Sequence, residues 1–272
     1  MTVKKHIFIV AGESSGDQHA ARYITEHRRL NPDLTFSAIG QNEIINTGAD
    51  VILNSEKISV VGIVEVVSKY RQISSALDTA YKHIEKTMPD LIVLVDYVEF
   101  NLKIAKYAKM KGIKVLFYIA PQVWAWREKR ISKIIDLVDH LAVVFPFEEI
   151  LFKKYTDKVT YVGHPLADNT KFQINFDKYE KKNIDIGIFP GSRDSEIRNN
   201  LHSMLNCVKL SKNEDIKSKN IKIFYSNKTA KKTIMNLLPD DWEGLLADGK
   251  NIKEVQSCKK AITASGTITL EL

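Results

Sequence analysis

Cysteine is almost absent from this 272-residue chain, which carries only Cys207 and Cys258. Two thiols so placed build neither a disulfide framework nor a cysteine metal site. Each is expected to be a small buried hydrophobe rather than a reactive thiol. Long apolar runs are missing too. No uncharged stretch approaches the roughly 20 residues that a bilayer span requires. The N-terminal "MTVKKHIFIVAGESSGD" starts basic, but Glu13 and Asp17 soon interrupt its apolar run, so it reads as a first strand and not as a signal peptide. Tandem repeats and low-complexity tracts are also lacking, which excludes solenoid and fibrous architectures. A reduced, cytoplasmic location is the expectation.

What is present is ordinary for a folding chain: 44% apolar and 27% charged residues, which removes the disordered classes. The net charge of +7 is uneven, with twelve Lys or Arg against six Asp or Glu between residues 101 and 160. Such an excess suits nucleic acid, an anionic membrane surface or a phosphorylated substrate, without choosing among them. Strand-like runs recur at 6–12, 35–40, 90–96, 114–120, 140–146 and 158–163, with helical stretches between several of them, one ending on Gly112. Nearly continuous apolar strands with helical crossovers predict an α/β fold whose parallel sheet is covered on both faces. Residues 166–183 lose periodicity and read as a linker, placing one domain at 1–165. A second α/β set starts at 184 with strands at 184–191, 220–226 and 260–266 and runs to 272. On pattern alone, a doubly wound domain would want on the order of 100 residues beyond the linker, so this second half reads as incomplete.

In open α/β sheets, ligands sit at the carboxyl ends of strands, and four segments occupy such ends. "AGESSGD" (11–17) follows the first strand. Gly12 and Gly16 allow close backbone approach to an anion at a helix start; equally, the segment reads as a tight turn capped by Ser15 or Asp17. "LVDYVEFN" (94–101) sets Asp96 and Glu99 past an apolar strand, where a carboxylate can accept a proton from a hydroxyl nucleophile. Here Glu99 or Asn101 could instead cap the next helix. "APQVWAWREKR" (120–130) joins Trp124 and Trp126 to Arg127, suited to a phosphate with a sugar or acyl chain. Base stacking, or a packed tryptophan edge beside a solvated basic helix, also stays open there.

"DIGIFPGSRDSEI" (185–197) breaks from a buried strand into Gly191, Ser192 and Arg193, whose amides and guanidinium suit phosphate oxygens. "ASGT" (264–267) ends a later strand in a similar way, and two anion-friendly turns in one half suggest a diphosphate. The lysine of a P-loop is absent. His164, in "VGHPLAD", stands where the first half leaves for the linker and reads as a hinge or site contact rather than a base. "SVVGIVEVVSKYRQ" (59–72) is apolar enough for a buried helix start or for an acyl-chain or membrane contact.

Taken in order, "AGESSGD", "SVVGIVEV", "VDYVEFN", "APQVWAWREKR", "VVFPFE", "YVGHPLAD", "FPGSRDSEI" and "ASGTITLE" resemble the lipid-A-disaccharide synthase family from end to end. The resemblance implies a GT-B glycosyltransferase, two Rossmann-like domains facing a cleft, the second incomplete here because family members continue beyond "SGTxTLE". It implies inverting transfer of 2,3-diacylglucosamine from its UDP conjugate to 2,3-diacylglucosamine 1-phosphate, forming the β-1,6 lipid A disaccharide without a metal or other cofactor. Asp96 matches the essential strand-end aspartate, the expected base, and Glu99 stands where the family has a second aspartate. Arg193 matches the arginine expected to steady the UDP diphosphate, with Gly191, Ser192 and Glu196 beside it. Ser265, Gly266 and Thr267 match a second donor loop, and Glu271 resembles the acid that holds the ribose. Gly12, Glu13, Ser15, Gly16 and Asp17 match the glycine-rich loop of the acceptor half, with Trp124, Trp126, Arg127 and His164 as further cleft or acceptor contacts. The expected partners are the two lipid sugars and the cytoplasmic surface of the inner membrane, to which the protein would be peripheral. A homo-oligomer is allowed; nucleic acid is not expected. Another UDP-sugar transferase or epimerase, or a binding module without turnover, are the rival readings.

Overall fold

The computed structural model describes residues 4–57, 70–120, 129–168, 183–210, 220–239, 242, 245–266 and 268–271. The segment 59–69, residues 121–128 with both site tryptophans, and most of the expected linker (169–182) lie outside the described residues. The chain divides into two compact units, Met1–Pro165 and Leu166–Leu272.

The first unit is built on a seven-stranded sheet of order β3-β2-β1-β4-β5-β6-β7. Its strands are β1 (His6–Ala11), β2 (Thr35–Gly40), β3 (Asp50–Asn54), β4 (Leu91–Val95), β5 (Lys114–Tyr118), β6 (His140–Val143) and β7 (Val159–Tyr161). Every neighbouring pair is parallel. The chain steps outward from β1 to β3, returns to lay β4 beside β1, and then steps outward the other way, so the order reverses between β1 and β4. The apolar runs dictate burial on both faces: Phe8, Ile9, Val10, Val93, Leu94 and Val95 are fully buried. On one face lie α3 (Tyr70–Thr87), α4 (Val98–Met110) and α5 (Lys129–Leu137), whose Ala80, Ile84, Ile104, Ala105 and Ile134 join Phe8, Leu94 and Phe117. On the other, Ala20 and Ile24 of α1 (Ser14–Leu30) and Ile44 of α2 (Asn42–Asn46) pack against Ile7, Ile9 and Val93. Gly112, at φ +71, follows the end of α4, as its place in the sequence predicts. A short helix α6 (Pro146–Phe152) joins β6 to β7.

The second unit repeats the plan with four strands in the order β10-β9-β8-β11: β8 (Ile184–Phe189), β9 (Ile221–Tyr225), β10 (Leu246–Asp248) and β11 (Cys258–Thr263), again parallel. Its reversal falls between β8 and β11. Helices α7 (Asp194–Lys209) and α8 (Lys228–Leu237) bury Ile197, Leu201, Leu205 and Ile234 with Ile188 and Ile223. Two short helices follow, α9 (Ile252–Gln256) and α10 (Ile268–Glu271).

Two strands are additions to the sequence reading: β3 and β10, five and three residues long. One expectation is corrected. Cys207 is exposed, because α7 turns positions 197, 201, 205 and 208 inward and leaves 207 outside, while Cys258 is partly covered. No described helix is long and apolar enough to cross a membrane.

Candidate functional site

Both reversals are where open α/β sheets take ligands, and the sequence-selected loops leave from them. In the first unit Ala11 pairs with Val95, so Gly12 and Asp96 follow neighbouring strand ends. The connection after β4 is strained. Asp96 (φ +50) and Tyr97 (φ +45) are consecutive left-handed residues, neither of them glycine, a conformation costing about 1–3 kcal/mol at each position. Tyr97, not Glu99 or Asn101, is the N-cap of α4. Glu99 lies in the helix's first turn, where its charge complements the helix dipole. The Tyr97 ring fills the space above Gly12: a Cβ there would fall 2.3 Å from Tyr97 Cγ and Cδ1. Tyr97 also stacks on Phe100 at 5.4 Å. Burial, with the Glu13 carboxylate nearby, raises the Tyr97 phenol pKa. Gly12, Glu13, Asp96 and Tyr97 thus form one constellation.

The rest of the glycine-rich loop does something else. Glu13 is the N-cap residue of α1, so Ser15 and Gly16 lie inside its first turn. Asp17, expected as a possible cap of its own helix, is only 2% exposed and accepts from Gln41 N (2.6 Å) and Glu43 N (2.9 Å) at the start of α2. Burial outweighs these bonds and raises its pKa. Asp17 therefore fastens the turn after β2 to α1. Farther along the same edge His164 meets His19 edge-on at 6.0 Å and lies 5.4 Å from Phe145. Arg22 Nη1 donates to Pro165 O at 2.8 Å. His19 is buried, with Nδ1 lacking a hydrogen-bond partner. Burial, then the neighbouring His164 and Arg22, lowers its pKa to about 4.

In the second unit Thr263 pairs with Phe189, and Ala264 N donates to Phe189 O at 2.9 Å, so Gly191 and Gly266 leave adjacent strand ends. Gly191 (φ +129) suits a conformation that side chains rarely adopt, and a Cβ there would lie 2.8 Å from Glu196 Cβ and Oε2. Arg193 is the N-cap of α7. The Ser192 amide and the Arg193 guanidinium, expected to face an anion, instead meet Glu196: the Ser192 and Arg193 amides donate to its Oε2 at 3.2 and 3.4 Å, and Arg193 Nη1 reaches its Oε1 at 2.7 Å. Two amides and a guanidinium thus already grip a carboxylate. Ser265 and Gly266 are exposed in a bend after β11, and Glu271 ends α10. Thr267, like Trp124, Trp126 and Arg127, lies outside the described residues. Among the described residues no group of three or more His, Cys, Asp or Glu could hold a metal ion.

With two switch-point turns in place, comparison with known proteins decides the family. The lipid-A-disaccharide synthetase family model matches residues 7–272. The chain belongs to the lipid-A-disaccharide synthase family. Membership makes it a glycosyltransferase of lipid A biosynthesis. Curated relatives agree. The lipid-A-disaccharide synthase of Geobacter metallireducens is 38% identical over 98% of this chain and 71% of its own length. That of Coxiella burnetii (strain Dugway 5J108-111) is 36% identical over 98% and 72%. Among solved structures, the co-structure of S. aureus MnaA with UDP aligns at TM-score 0.64 and 12% identity, over 97% of this chain and 75% of that one. UDP-N-acetylglucosamine 2-epimerase from Rickettsia bellii aligns at 0.63 and 15%, over 99% and 76%. At such identities the likeness is one of fold, the GT-B arrangement of two α/β domains that family membership implies.

Sequence reasoning left His19 without a role and weighed Asn101 only as a cap. Asn101 is fully buried, and its Nδ2 donates to Asp96 O at 2.6 Å and Val95 O at 3.2 Å. An asparagine six residues past a strand end reads as helix surface; its inward direction becomes visible only once Tyr97 takes the cap.

Proposed function

We propose that the chain moves 2,3-diacylglucosamine from its UDP conjugate onto the 6-hydroxyl of 2,3-diacylglucosamine 1-phosphate, with inversion at the anomeric carbon. The observation that carries this reading is the donor set of the second unit. Amides of Ser192 and Arg193 with the Arg193 guanidinium hold the Glu196 carboxylate, and the same donors suit the oxygens of a diphosphate. As the bond from sugar C1 to UDP lengthens, charge grows on that diphosphate, and the donors stabilise it most at that moment. Gly266, with Ser265 and Thr267, extends the anion site; Glu271 holds the ribose. In the first unit Asp96 takes the acceptor proton during attack, beside Gly12 and Glu13, while Glu99 assists at the helix start. Trp124, Trp126, Arg127 and His164 contact the acceptor. Basic and apolar surface on this unit suits a substrate both phosphorylated and acylated, met at an anionic leaflet.

Incubation of the protein with UDP-2,3-diacylglucosamine and 2,3-diacylglucosamine 1-phosphate tests this. Disaccharide and UDP are expected. Turnover of UDP-N-acetylglucosamine alone, in the manner of an epimerase, would remove the lipid assignment.

A further inference from the structure

Asn101 stands in the second turn of α4, yet its bonds are directed at the turn that precedes the helix. Its side-chain amide donates to the carbonyls of Val95 and Asp96, and its backbone N donates to Tyr97 O at 3.1 Å. Three successive carbonyls end on one residue. They are the carbonyls of the stretch where β4 gives way to two left-handed, non-glycine residues. Such backbone persists only where its surroundings over-determine it. The opposite side is braced by Tyr97 lying on Gly12 and stacking on Phe100. Asn101 Oδ1 is buried and unpartnered, so what the residue contributes is its donors.

We propose that Asn101 is a positioning residue for the transfer reaction: its amide clamps the Val95–Tyr97 turn and so holds Asp96 where the acceptor hydroxyl can be deprotonated. The proposal rests on the reading of Asp96 as the base. A base displaced by about 1 Å loses on the order of 10²-fold in rate, although the groups that bind donor and acceptor are untouched.

The test is a cycle of Asn101→Ala, Asp96→Asn and the double variant, read as kcat and KM. Asn101→Ala alone is expected to lower kcat about 10²-fold with KM little changed. In the Asp96→Asn background it is expected to cost nothing further, because Asn101 acts through Asp96. An equal loss in both backgrounds, or a lowered melting temperature with unchanged kcat, overturns the proposal. Asn101→Asp adds a pH signature. Its ionised carboxylate cannot donate, so kcat is expected to recover as pH falls and the acid regains a proton, a trend absent from the wild type. Should the alanine variant not fold, Asn101→Ser, with one shorter donor, enters the same cycle. The carbon chemical shifts of Asp96 and Tyr97 read the turn without any turnover. They are expected to leave left-handed values in Asn101→Ala, and unchanged shifts refute the clamp. A wild-type chain that transfers nothing counts against Asp96 as base, and the shifts then decide the clamp alone.

Discussion

At the β1/β4 reversal the first unit turns through Asp96 and Tyr97 in left-handed conformations, held by a buried asparagine and a tyrosine ring. At the β8/β11 reversal the second unit turns through Gly191, held by Glu196 from within the following helix. The topological place is the same and the materials are opposite. A turn that must present a carboxylate cannot be glycine, so its strain has to be held from outside. One that grips an anion needs bare amides, so glycine serves and the support stays local. Under the proposed function, the difference matches the two tasks of a glycosyl transfer, accepting a proton and stabilising a leaving diphosphate.

The comparison breaks most sharply at Asp96. Asp96→Asn is expected to lower kcat on the order of 10³-fold, as loss of a general base does, in an assay of disaccharide formation. Retention of wild-type rate would leave the first unit's turn without a catalytic purpose. Arg193→Ala is next. Loss of about 10²-fold to 10³-fold is expected, accompanied by weaker UDP binding, and an effect on turnover with UDP affinity intact would assign the arginine elsewhere.

Acid separates the units by stability. His6, His19, His83 and His164 all belong to the first unit, and burial lowers the pKa of each from 6.5. His6 and His83 face one Ser37 hydroxyl through their Nε2 atoms. Because the unfolded chain binds these protons more readily, the stability of this unit should fall as pH drops from 6.5 towards about 4. His19 accounts for at most on the order of 3 kcal/mol. In the second unit Asp194 is held below its usual 3.8 by Arg198 and Thr233, so its contribution is present above that value and is lost only as pH falls below it. Hydrogen exchange measured from pH 7 to 4 should show the first unit opening before the second; simultaneous opening would dissolve the distinction. The smallest effects are packing ones. Gly12→Ala must displace Tyr97 and Gly191→Ala must displace Glu196, each costing about 1–3 kcal/mol by chemical denaturation. Only Gly12→Ala should also disturb the chemical shifts of Asp96.

Much of this was legible beforehand for a physical reason. Buried parallel strands such as β1 and β4 are nearly unbroken apolar runs, and the proline, glycine and arginine after β8 announce their turn by residue type. The left-handed pair Asp96–Tyr97 was not legible, since aspartate only tolerates that conformation, tyrosine does not favour it, and their support arrives from Gly12 and Asn101. Asp17 misled for the same reason: an aspartate at a helix start reads as that helix's cap, but tertiary structure turned it to cap α2 instead. Such roles are settled by which strands become neighbours, and a local pattern does not contain that.

The most direct measurement is a calorimetric titration of UDP into the wild type, Asp96→Asn and Arg193→Ala. A division of labour between the two turns predicts wild-type affinity for Asp96→Asn and weakened affinity for Arg193→Ala. Equal weakening in both would contradict it.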